Sequence, residues 1–165
     1  MMTKRLLVSA LLGSLALGGV ALAQVFTKVQ VGDRIRKVED GVDEFRKWAE
    51  NRADQGKDAA KGTERTRGRG NSEEKKEVAR EKGDELDDAL GDLNGSTNRL
   101  RRRFDATDKW METRSEVERV LDDARKINQV MTRGRYGSQA ERLWSVLRSG
   151  INDLARAYNL TPLGA

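Results

Sequence analysis

Residues 31–49 read VGDRIRKVEDGVDEFRKWA and carry the clearest structural signal in the chain. Apolar residues recur there at alternating steps of four and three, and charged residues fill most positions between them. This spacing places the apolar side chains on one stripe of an α-helix, as in a heptad repeat. The pattern predicts a first amphipathic helix over residues 27–55. Its stripe consists of Val31, Ile35, Val38, Val42 and Phe45, followed by Trp48 and Ala49.

A second helix is predicted to begin at Ser72, whose hydroxyl can cap the first turn while Glu73 and Glu74 complement the helix dipole. The four-three spacing then continues on a stripe that includes Gly83. Because glycine lacks a side chain, we expect a neighbouring helix to approach closely at that position. The stripe consists of Ala79, Gly83, Leu86, Leu90 and Leu93.

The stretch LNGSTN at residues 93–98 allows two interpretations. Asn94-Gly95 is a common turn signal, and Ser96 or Thr97 could cap a new helix. The apolar phase nevertheless passes through this stretch without a slip, which would suit one continuous helix. We favour a tight antiparallel turn, because asparagine and glycine both weaken a helix interior.

Two more helices are predicted after this point. The third covers residues 97–133, with a change of apolar phase near residues 105–108 that indicates a bend or a change of packing partner. The fourth extends from Ser138 to about Asn159, and residues 160–165 form a tail that Pro162 excludes from the helix. Leu100, Leu121, Leu147 and Leu154 are expected in the core.

The predicted fold is all-α, an antiparallel bundle of about four amphipathic helices with coiled-coil-like packing over residues 24–159. Residues 56–72 interrupt it with four glycines and no large apolar residue, so we expect a flexible charged loop there. Residues 1–23 have the layout of a secretory signal peptide: Lys4 and Arg5, an apolar run, then Ala21-Leu22-Ala23 before Gln24. The alternative is an uncleaved anchor, although the apolar run is short for a membrane span.

Composition restricts the chemistry. The chain has no cysteine and no histidine, which removes disulfides, thiolate nucleophiles, a lipoprotein anchor and the commonest metal ligand. Its paired carboxylates lie off the apolar stripes, as expected for solvated helix faces. We therefore predict no catalytic residues, no metal site and no cofactor, and we do not expect an enzyme. The three tryptophans are expected to pack in the core, with ligand stacking as the alternative.

Two basic clusters could bind a polyanion. One is the glycine-rich stretch, which lacks the aromatic residues that binders of single-stranded nucleic acid use for stacking; we favour a soluble tether there over a binding site. For the second, we expect pairing with the acidic residues of the preceding helix across the predicted turn. The candidate polyanion-binding residues are Lys57, Lys61, Arg65, Arg67 and Arg69 in the first cluster, and Arg99, Arg101, Arg102 and Arg103 in the second.

These observations favour an exported bacterial protein, periplasmic or secreted, with a structural or interaction role in the cell envelope and an unidentified protein or envelope partner. The alternative is a binder of anionic polymer or anionic lipid through the basic loop and the arginine cluster. Without Lys4 and Arg5 the chain has 30 basic and 27 acidic residues, so its net charge argues only weakly for an anionic partner. Self-association through a leftover apolar stripe is a further expectation.

Overall fold

The computed structural model describes residues 26–62 and 72–164. Within these ranges the chain forms four α-helices, one short 3₁₀ helix and no β-strand. The predicted all-α class is therefore confirmed. The helices are α1 (Lys28–Gly62), α2 (Ser72–Ala106), α3 (Arg114–Arg133) and α4 (Ser138–Ala157), and the 3₁₀ helix (Trp110–Thr113) directly precedes α3.

The helices pack as a ring in which each is antiparallel to its two neighbours. α1 packs against α2 and α4, and α3 packs against the same two helices. The Lys28 ammonium donates to the carbonyl of Thr107 at 2.7 Å, which places the start of α1 beside the end of α2. The Arg52 guanidinium donates to the carbonyl of Tyr136 at 3.2 Å, which places a later part of α1 beside the start of α4.

The core consists of the apolar stripes identified in the sequence. All five stripe residues from Val31 to Phe45 are fully buried, and so are Leu93 and Leu100 of α2. The four leucines expected in the core are at most 2% exposed. Burial of a leucine side chain contributes about 1.5–3 kcal/mol, so these stripes supply the main driving force for the bundle.

The predicted turn at Asn94-Gly95 is wrong, because α2 continues through it as one helix. The hydroxyls of Ser96 and Thr97 both donate to the carbonyl of Leu93, at 3.0 and 2.8 Å, instead of capping a new helix. Such back-bonding satisfies buried hydroxyls inside a helix. It lets the apolar stripe pass from Leu93 to Leu100 in phase, and the burial of that stripe outweighs the propensity penalties of asparagine and glycine.

The boundaries of the predicted loop also differ from the structure. α1 is helical as far as Gly62, so residues 56–62 belong to the helix rather than to a loop. The alanines and lysines of this segment are strong helix formers, and they compensate for its glycines. Residues 63–71, the remainder of the predicted loop before Ser72, lie outside the described residues.

The chain reverses between α2 and α3 at Thr107–Lys109, where the change of apolar phase predicted a bend. The close helix contact expected at Gly83 is wrong, since nothing lies within 4 Å of a Cβ placed there. Close approaches occur instead at two glycines of α1: a Cβ placed on Gly32 would lie 3.3 Å from the Phe104 ring, and one placed on Gly41 would lie 3.1 Å from the Leu147 side chain.

Local motifs fix the start of α1 and the end of α4, which lie at the same end of the bundle. At the start of α1, Thr27 and Gln30 form a capping box: the Gln30 N–H donates to the Thr27 hydroxyl at 3.2 Å and the Thr27 N–H to the Gln30 side chain at 3.0 Å. After α4, Asn159 adopts a φ of 54°, and two backbone hydrogen bonds complete a Schellman cap. The Asn152 side chain then bonds the N–H and carbonyl of Leu163, which holds the tail against α4.

Leu147→Ala should destabilise the bundle by about 2–5 kcal/mol, because the side chain is 1% exposed and fills the contact with Gly41. Its neighbour Val146 is 70% exposed, and Val146→Ala should change the free energy of unfolding by less than about 0.5 kcal/mol. Urea denaturation of both variants checks this pair. Equal effects would mean that the α1–α4 register is wrong.

Candidate binding surfaces

The described part of the first basic cluster lies far from the arginine cluster. Lys57 and Lys61 are in the last turns of α1, and Arg65, Arg67 and Arg69 lie outside the described residues. The arginine cluster of residues 99–103 is near the opposite end of α2. Ser72 and Arg99 are separated by 27 residues of continuous helix, which is about 40 Å. Lys57 and Lys61 therefore do not share one binding site with the arginine cluster.

The arginine cluster divides into paired and unpaired members. Arg101 pairs with Asp105 at 3.1 Å on its own helix, and Arg103 pairs with Glu116 of α3 at 3.5 Å. Arg99 and Arg102 are exposed and make no ion pair with any residue that the structure describes. The expected pairing across a turn is wrong because the acidic segment and the arginines are parts of one helix.

The acidic segment of α2 divides in the same way. Glu85 pairs with Arg133 at 3.6 Å and Asp92 with Lys126 at 3.1 Å, so both carboxylates face α3. Asp84, Asp87 and Asp88 are exposed, and none of them forms an ion pair within the described ranges.

Partial burial, followed by the neighbouring carboxylates of Asp84, Glu50 and Asp88, raises the pKa of Asp87. Burial is the larger cause of this shift, and the neighbouring carboxylates add to it. Arg46 of α1 lowers the pKa of Asp87 by a smaller amount.

The unpaired charges lie on one surface, which we call the outer face of α2. It is opposite the buried stripe, and every member except the two glycines carries a polar or charged side chain. All of these residues are exposed, and nothing lies within 4 Å of a Cβ placed on either glycine. The outer face of α2 consists of Asp84, Asp87, Asp88, Gly91, Gly95, Asn98, Arg99 and Arg102.

A cleft of about 440 Å³ lies between α1 and α4. The Arg52 guanidinium lies 5.4 Å from the centre of the Trp48 ring and 5.5 Å from that of Tyr136, which is within the range of cation–π attraction. These contacts occupy Arg52 within the protomer. The cleft is lined by Glu44, Lys47, Trp48, Asn51, Arg52, Gln139 and Leu143.

The three tryptophans differ in burial. Trp144 is 5% exposed, and its indole N–H donates to the Asn128 side chain at 3.1 Å. Trp110 and Trp48 are half-buried, and Trp110 meets the Tyr158 ring edge-on at 5.0 Å. The predicted core packing is confirmed for Trp144, and Trp48 and Trp110 pack against the core from its edge. Trp48 also lines the cleft.

A buried polar contact joins the 3₁₀ helix to the end of α4. The Thr113 hydroxyl donates to the carbonyl of Trp110 at 2.7 Å and lies 2.8 Å from the Tyr158 hydroxyl. Since the single Thr113 proton is engaged, Tyr158 is the donor between the two hydroxyls. Burial raises the pKa of Tyr158, which keeps that hydroxyl protonated at neutral pH.

The chain matches no protein-family model, no curated protein and no solved structure. None of the helices in the described ranges is both long and apolar enough to cross a membrane. Within the same ranges, no group of acidic side chains is arranged to hold a metal ion.

Thr113→Val should destabilise the protein by about 1–3 kcal/mol, because it leaves the buried Tyr158 hydroxyl without an acceptor. Tyr158→Phe should cost less, about 0.5–1.5 kcal/mol, because the Thr113 hydroxyl still donates to Trp110. Urea denaturation at neutral pH compares the two variants. A smaller effect for Thr113→Val would contradict the assigned direction of the hydrogen bond.

Proposed function

We propose that this chain is an exported, non-catalytic interaction protein of the periplasm or cell envelope, and that it binds its partner through the outer face of α2. The observation that carries the proposal is the division of charges on α2. Its ion-paired charges contact α3 or another residue of α2, whereas Asp84, Asp87, Asp88, Arg99 and Arg102 are exposed and form no ion pair within the described residues.

Export rests on the signal-peptide layout of residues 1–23. The first fixed contacts of the bundle support a cleavage site just before them. Phe26 packs against the core, with the Arg34 guanidinium 4.3 Å above its ring, and Thr27 caps α1. Cleavage before Gln24 retains both residues, so processing leaves the folded part intact.

We also infer coiled-coil-like packing between the helices. The core stripes repeat at steps of four and three, the spacing that supports knobs-into-holes contact. The close contacts at Gly32 and Gly41 are consistent with tight interdigitation. Such a rigid scaffold suits an interaction protein, because a surface with fixed charge positions loses little entropy on binding.

Binding of anionic polymer or anionic lipid is the second candidate function. Arg99 and Arg102 are exposed and available, and each basic residue near an anionic surface contributes about 1 kcal/mol. The three unpaired carboxylates on the same face would be repelled by such a partner. Lys57 and Lys61 also lie far from Arg99 and Arg102, which reduces their combined effect, so we rank this function second.

A photo-crosslinking residue at Asn98, on the outer face of α2, tests the proposed function in envelope extracts. We expect covalent adducts from Asn98 and none from the same probe at Ser145, an exposed position on α4. Arg99→Glu/Arg102→Glu should abolish the adducts, because it reverses the basic half of the face. Adducts of equal yield from both probe positions would refute a role for this face.

Vesicle and polyanion binding separate the two candidate functions. Replacing Lys61, Arg65, Arg67 and Arg69 by serine, or Arg99 and Arg102 by serine, should change binding to anionic vesicles only slightly at physiological salt. Helix content should stay the same in both variants. Tight binding that falls steeply with salt and is lost in either variant would make the anionic partner the principal function.

Processing is checked by the intact mass of exported material, which should correspond to a chain that begins at Gln24. The matched control is Ala21→Asp/Ala23→Asp, which should retain the full-length mass because it removes the small residues that the peptidase reads. Full-length wild-type chain in the membrane fraction would refute cleavage.

A further inference from the structure

The outer face of α2 has the same periodicity as the buried stripe on the opposite side of the helix. The core positions of α2 follow one another at steps of four and three from Leu86 to Phe104. The outer positions do the same from Asp84 to Arg102. A straight seam with this spacing is the geometry by which one helix packs along another. The outer seam consists of Asp84, Asp88, Gly91, Gly95, Asn98 and Arg102, flanked by Asp87 and Arg99.

The charges on this seam are ordered along the helix. The N-terminal half is acidic, the centre has the two glycines, and the C-terminal half is basic. The pairs Gly91 and Gly95, and Asp84 and Arg102, are each centred on position 93, and Asp88 and Arg99 share one side of the seam at nearly equal distances from that position. Reversing the direction of the helix about that position therefore places a carboxylate opposite each arginine.

Contacts within one chain do not explain why α2 has glycine at positions 91 and 95. Gly32 and Gly41 each lie close to a side chain of a neighbouring helix, but nothing within 4 Å would obstruct a Cβ at Gly91 or Gly95. Glycine weakens a helix interior relative to alanine. Small residues at the centre of a seam do, however, permit two helix backbones to approach closely, as they do at Gly41.

We propose that two copies of this chain associate through their outer faces of α2, antiparallel and related by a twofold axis near position 93. Gly91 then lies against the partner's Gly95, Arg99 faces the partner's Asp88, and Arg102 faces the partner's Asp84. Each contact occurs twice, as in any isologous interface. The inference rests on the proposed function and names its partner: a second copy of this chain.

Charge complementarity selects the second copy over an anionic surface. The face carries three unpaired carboxylates and two unpaired guanidinium groups among the described residues, so an anionic partner meets repulsion over half of its length. A second copy in the antiparallel direction meets the opposite charge at both ends. The sequence suggested self-association through a leftover apolar stripe, but the core buries the apolar stripes of the four helices. The proposed interface is therefore polar.

Charge reversal with complementation tests this pairing. Arg99→Glu/Arg102→Glu makes the face entirely acidic, and Asp84→Arg/Asp88→Arg makes the four paired positions entirely basic. Each variant alone should dissociate at least about tenfold more readily than wild type in sedimentation equilibrium, since like charges then face each other. An equimolar mixture of the two should recover association as a heterodimer, because each acidic position again faces a basic one.

The matched control is Arg119→Glu/Arg142→Glu, which makes the same change in net charge at exposed positions of α3 and α4. This variant should associate like wild type. Circular dichroism establishes that each variant is folded. Gly95→Leu should also weaken association, because its side chain would hold the two helices apart.

A wild-type chain that stays monomeric at every concentration, or a mixture that fails to associate, would overturn the dimer. Crosslinking at Asn98 keeps the two proposals distinguishable. Adducts of twice the chain mass support the dimer, whereas adducts with another protein alone preserve the proposed function and refute the second copy as its partner.

Discussion

The buried stripe of α2 is the constraint on which the rest of the structure depends. It crosses residues 94–96 without losing phase, and it does so because Ser96 and Thr97 both return their hydroxyls to the carbonyl of Leu93. A turn at that point would have made the acidic and basic segments of α2 neighbours on two helices. The continuous helix instead places them at opposite ends of α2. The order of charges along the outer face of α2 follows from that arrangement.

The antiparallel contact of α2 with α3 then determines which charges remain available. α3 offers Arg133 and Lys126 to the acidic end of α2 and Glu116 to its basic end. These pairs are mostly exposed, so each contributes about 1 kcal/mol or less. These ion pairs add little stability, but they determine which charges stay exposed. They use the lateral charges of α2, and the charges of its outer face form no ion pair within the described residues.

Apolar periodicity predicted most of this fold, since the stripes of four and three became the core and the phase change near residues 105–108 became the α2–α3 reversal. The Asn94-Gly95 turn signal misled because glycine costs a helix only about 1 kcal/mol, while the adjoining leucines gain more by burial in one continuous helix.

The division of the arginines into paired and unpaired residues could not be predicted. Arg103 differs from Arg102 only in facing Glu116, and that contact depends on how two helices pack. The outer seam was visible in the sequence as a second four-three repeat, but its residues are polar, and a search for apolar spacing does not find it.

The ring of helices has a consequence for how the chain reaches its native state. Three of its four interfaces join helices that are consecutive in sequence, and only the contact between α1 and α4 is remote. Topologies dominated by such local contacts have low contact order and fold on the microsecond to millisecond scale. Because α1 can complete its packing only when α4 is present, a chain emerging N-terminus first keeps the α4-facing part of the α1 stripe uncovered until its final helix arrives. Closure of the ring is thus the step that converts three locally formed contacts into a single cooperative domain.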